Sequence, residues 1–99
     1  MSLLDWFDAK PAKAFGSKLA ETFALSMPLE ANLPDRKFSH KAEAALKKMN
    51  RMVGEFKGAN KLNVYKKAQL GNSFKWALKD ARYEQVYIDR LTEWLVERL

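Results

Sequence analysis

The sequence predicts an all-α fold, a compact bundle of about four helices with a short N-terminal helical turn. Apolar residues recur at spacings of three and four along most of the chain, and the alternation of a half-buried strand is nearly missing. Pro11 suits a helix start, and Pro28 and Pro34 fall between periodic stretches rather than inside them. A chain of 99 residues, 47% hydrophobic and 30% charged, has material for one core and a charged surface, so residues 1–99 are expected to form a single helical domain.

The elements follow in order. Ser2 and Asp5 have capping-box spacing, which suggests a helical turn over residues 3–7. Pro11 suits the start of a new helix. Along that helix Ala12, Phe15, Gly16, Leu19, Phe23 and Met27 share one face, with Lys13, Ser17, Lys18 and Glu21 opposite. Pro28 and Pro34 bracket a connection that cannot be helical throughout. The next helix has the clearest stripe: Phe38, Ala42, Ala45, Leu46, Met49, Met52, Val53 and Phe56, with every charge off it. Ser39 is its expected cap and Gly58 its expected stop, and Leu46, Met49, Val53 and Phe56 are expected to be core.

Residues 62–79 are less regular. Leu70, Phe74, Ala77 and Leu78 share a face, but Tyr65 and Trp76 lie nearly opposite, and Gly71-Asn72-Ser73 interrupts the pattern. Either the helix breaks there or it continues, buried on two sides. The last stretch, about 83–98, is periodic in Tyr87, Ile88, Leu91, Trp94, Leu95 and Leu99. Asp80-Ala81-Arg82 offers a corner, yet no glycine or proline forces one, so a single helix from Ser73 to the end is the alternative.

Little in the chain suits catalysis. There is no cysteine, which removes disulfides, thiolate nucleophiles and cysteine-bound metals and fits a reducing compartment. His40 is the only histidine and falls on the polar side of its helix, where a solvated imidazole is expected. No Gly-x-Ser-x-Gly elbow appears, and the four glycines are too scattered for a phosphate loop. Asp89, Glu93 and Glu97 line one face at four-residue spacing; a hard cation is one reading, a solvated acidic face or pairing with lysines the blander one. The chain is therefore expected to be no enzyme and to need no cofactor or metal. Its N-terminus lacks the basic start of a secretory signal and no window is apolar enough to span a membrane, so a cytoplasmic protein is expected. Leu3, Leu4, Trp6 and Phe7 before Lys10, Lys13 and Lys18 resemble an interfacial helix, but Asp5 and Asp8 oppose anionic lipid and packing on the bundle is the better account.

Charge is the most uneven property. Residues 36–79 hold ten lysines and two arginines against Glu43 and Glu55, a local balance of +10 in a chain whose net charge is +6. Such a field draws polyanions or acidic surfaces. Lys47 and Arg51 stand one turn apart with His40 on the same side, Lys41 and Lys48 form a neighbouring row, and Lys61, Lys66 and Lys67 follow. Lysines spread over two helices suit phosphate contacts more than base reading. Lys41, Lys47, Lys48, Arg51, Lys61, Lys66 and Lys67 are thus candidate contacts for nucleic acid or an acidic partner.

Val53, Gly54, Gly58, Ala59 and Val64 have the offsets of a helix-turn-helix, whose recognition helix would be led by Asn60, Lys61, Asn63, Lys66 and Lys67. Lys57 and Lys67 stand where that motif wants apolar residues, and an ordinary helical hairpin explains the same pattern.

The aromatics suggest another surface. In one helix over 73–99, Trp76, Tyr83, Tyr87 and Trp94 fall within about 40° of each other, a column suited to a protein interface or a symmetric dimer. A bend near Asp80 would instead turn both apolar stripes of that stretch into one core. The leading expectation is a binding module acting through a protein partner or self-association; nucleic-acid binding through residues 36–79 is the alternative, and membrane association is not expected.

Overall fold

A computed structural model describes residues 6–27 and 35–99, with residues 35–39 described by their backbone alone. Among the described residues there are four α-helices and no strand: α1 (Lys10–Ser26), α2 (Asp35–Ala59), α3 (Val64–Asp80) and α4 (Gln85–Arg98). Trp6 and Phe7 are helical as well, while most of the expected N-terminal turn lies outside the described residues. No described helix is long and apolar enough to cross a membrane.

α1 is the hub. Its apolar stripe buries Ala12, Gly16, Leu19, Ala20 and Phe23, and α3 packs along it more extensively than any other pair of helices meets. Small residues permit that approach. Gly16 faces the backbone of Leu70 and Phe74, and the Ser73 hydroxyl donates to the Lys13 carbonyl at 2.7 Å. With that proton engaged, the Ser17 hydroxyl is the donor in the 2.9 Å contact to Ser73. On its other flank α1 carries α2, where Phe15 stacks on Phe56 with centroids 4.2 Å apart.

α2 buries Ala45, Met49 and Val53 along the expected stripe. Leu46 and Phe56, expected to be core, are only half-buried, Leu46 at the margin of the stripe and Phe56 near the end of the helix. The helix starts at Asp35, so Ser39 lies inside it rather than capping it, and it ends one residue beyond Gly58. At that end the backbone and side-chain amides of Asn60 both donate to the Phe56 carbonyl, at 2.9 and 3.1 Å.

α3 runs unbroken through Gly71-Asn72-Ser73 and is buried on two sides, against α1 and against α4. Leu70, Phe74 and Leu78 are fully buried, and Gly71 is buried on the side of Val96.

The chain turns between α3 and α4, so residues 73–99 form two helices. Arg82 adopts φ 68°, the Tyr83 amide donates to the Leu78 carbonyl at 3.2 Å, and the Arg82 amide donates to Lys79 at 2.9 Å. This is a Schellman stop, and Tyr83 packs against the core cluster that holds Leu78. The turn carries Ile88 and Leu95 of α4 into the same core as Leu78 and Phe74. The Tyr83 hydroxyl then reaches back to the end of α1, donating to the Met27 carbonyl at 2.6 Å.

Candidate nucleic-acid interface

Because only one stripe of α2 packs on α1, the opposite side of a 25-residue helix faces outward. At 100° per residue, His40, Lys47 and Arg51 lie around the pole opposite Met49, and Lys41 and Lys48 lie on one side of it. All five are exposed. Among the described residues none of these side chains is held in an ion pair or hydrogen bond. Lys61 is exposed just beyond the helix, and Lys66 and Lys67 are half-buried in the first turn of α3.

Two further lysines of the basic stretch have partners. Lys57 donates to the backbone carbonyl of Arg98 at 2.8 Å, placing a cation at the carbonyl end of α4. The Lys79 ammonium lies 5.0 Å from the centroid of the Trp76 ring.

The helix-turn-helix pattern is not built. α2 and α3 each pack on α1 rather than chiefly on each other, and Val64, which the motif would bury, is 80% exposed. Two of its expected base readers are spent on the backbone. Asn60 bonds to Phe56, while Asn63 caps α3 by accepting the Lys66 amide at 2.8 Å.

The bend divides the aromatic column. Tyr83 is half-buried, with its ring 5.4 Å from that of Phe23. Trp94 is half-buried under the Arg98 guanidinium, 4.2 Å above its ring. Trp76 and Tyr87 stay outside, 54% and 48% exposed.

An unexpected cluster stands where α3 begins. Trp6, Phe7 and Tyr65 touch one another: Trp6 stacks on Tyr65 at 5.9 Å, and Phe7 stands nearly perpendicular to both, at 4.8 and 5.3 Å. The off-stripe position of Tyr65 was the one sequence signal for it; contacts to residues 6 and 7 carry no periodic mark.

On α4, Asp89, Glu93 and Glu97 are exposed and border an open hollow shared with Lys75, Thr92 and Val96. Gln85 donates to Asp89 at 2.8 Å. Among the described residues no three acids or histidines are grouped to hold a metal ion. His40 is exposed. No protein-family model matches the chain, and neither a curated protein nor a solved structure is detectably similar to it.

Proposed function

We propose that the chain is a non-enzymatic binding module whose outward α2 face holds the phosphate backbone of a nucleic acid. The observation that carries this reading is the exposure of Lys41, Lys47, Lys48 and Arg51 on one side of α2, with no ion pair among the described residues. Lys61, Lys66 and Lys67 extend the positive field past the end of the helix. Ammonium groups on flexible stems neutralise phosphate without reading bases, so affinity with little sequence preference is the expected behaviour. A protein partner or a second copy of the chain is the second reading, favoured by the exposed indole of Trp76; its larger basis, the four-residue column, is divided by the corner at Arg82. A cytoplasmic location fits either reading.

The test is retention on immobilised nucleic acid. Lys47→Glu with Arg51→Glu should abolish it. Lys13→Glu with Arg90→Glu, which changes net charge equally at exposed sites off α2, should leave most of it. Equal losses in the two double variants would mean that net charge, rather than this face, governs retention. A protein that is not retained at all, but elutes with a protein partner or as a dimer, would favour the second reading.

A further inference from the structure

We infer that Trp6 and Tyr65 form a stacking platform for the bases of a single strand, at the start of α3 where Lys66 follows Tyr65. The inference rests on the nucleic-acid reading above and narrows it to unpaired bases.

The platform is pre-assembled. Asn63 donates its side-chain amide to the Trp6 carbonyl at 2.9 Å while its side-chain oxygen accepts the Lys66 amide. One residue thus starts α3 and pins the segment that carries the indole. The rings of Trp6 and Tyr65 lie 25° from parallel, and Phe7 stands nearly perpendicular to both. Despite these contacts Trp6 is 42% and Phe7 50% exposed. A cluster packed only to fill the bundle would hide these rings.

The surroundings select the occupant. Lys61 and Lys66 line a hollow of about 120 Å³ beside the cluster, together with Asn60 and Asp8. Asp8 is the one acid among the described residues lining it, and its carboxylate accepts the Lys10 amide at 3.3 Å at the start of α1. Partly exposed indole and phenyl rings next to ammonium groups match a strand that offers both ring faces and phosphates. A duplex offers the phosphates, but its bases are already stacked on one another. Single-stranded nucleic acid is therefore the partner the chemistry fits.

The experiment compares an oligothymidine with a duplex of equal length, using wild type, Trp6→Ala and Trp6→Phe. Trp6→Ala should weaken single-strand binding about tenfold and leave duplex binding nearly unchanged, because stacking contributes on the single strand alone. Trp6→Phe should restore most of the loss. In a Trp76→Phe, Trp94→Phe background, the remaining Trp6 fluorescence should be quenched by the single strand and not by the duplex, which reads the contact even where Trp6→Ala perturbs folding. Unchanged single-strand affinity without quenching, while both nucleic acids still bind, would overturn the platform and leave the α2 face standing. Equal weakening on both would assign Trp6 a structural role and overturn it too. Binding of neither would remove the nucleic-acid reading itself.

Discussion

Gly16 on α1 lies so close to α3 that a methyl group there would overlap the carbonyl oxygen of Leu70 and come within 3.1 Å of the Phe74 amide nitrogen. The obstacle is backbone, which cannot swing aside, so Gly16→Ala must push apart the two helices that make the largest contact. A loss of about 1–3 kcal/mol is expected in denaturant melts. Gly71→Ala is the contrast. Its added carbon would sit 3.6 Å from a Val96 methyl, an ordinary contact, and should stabilise by up to about 1 kcal/mol through helix propensity. Similar stability for the two variants would contradict the close crossing.

Arg82 holds a left-handed backbone that costs an ordinary residue about 1 kcal/mol or more. Arg82→Gly should therefore raise the melting temperature, and Arg82→Val, β-branched at the same φ, should lower it. Both variants melting as wild type does would mean that residue 82 does not end α3 in this conformation.

That corner shows what the residues make legible. The stripes of α1 and α2 read directly because burial on one face imposes a period of 3.6, and Leu19, Phe23, Met49 and Val53 are buried accordingly. The start of α2 was misread. Ser39 has the chemistry of a cap, but nothing local forbids helix between Pro34 and Ser39. The stop after α3 carries no glycine, since Arg82 accepts the left-handed geometry itself, so the pattern alone left one helix or two open. The basic face was legible because the charges of α2 all avoid its stripe. The Trp6–Tyr65 contact was not, because residues far apart in sequence meet there through the Asn63 bond.

Tyr83 ties the α3–α4 corner to the end of α1, and burial raises its phenol above the usual pKa of 10.0. Tyr83→Phe should cost about 0.5–1.5 kcal/mol at neutral pH, the net worth of one hydrogen bond. The folded state holds the phenolic proton more tightly than the unfolded state does. The stability linked to that proton is thus fully present below the unfolded pKa, near 10, and is lost as pH rises through the raised folded value. Wild type should lose stability more steeply than Tyr83→Phe across that alkaline window. Parallel curves would show that the phenol is not buried.

Met49 is fully buried between α2 and α1, whereas Leu46 is half-buried at the margin of the same stripe. Met49→Ala should cost about 2–5 kcal/mol, and Leu46→Ala distinctly less. Reversal of that order would place the centre of the interface one turn-face away from Met49.

The most direct test of the α2 face is the salt dependence of wild-type binding to a single-stranded oligonucleotide. Four or more phosphate contacts from Lys41, Lys47, Lys48, Arg51 and their neighbours should release counterions, giving a slope of log K against log salt of about −3 or steeper. Affinity should therefore collapse as salt rises. A slope near zero, or no binding even at low salt, would contradict the nucleic-acid reading and shift the case to a protein partner at Trp76.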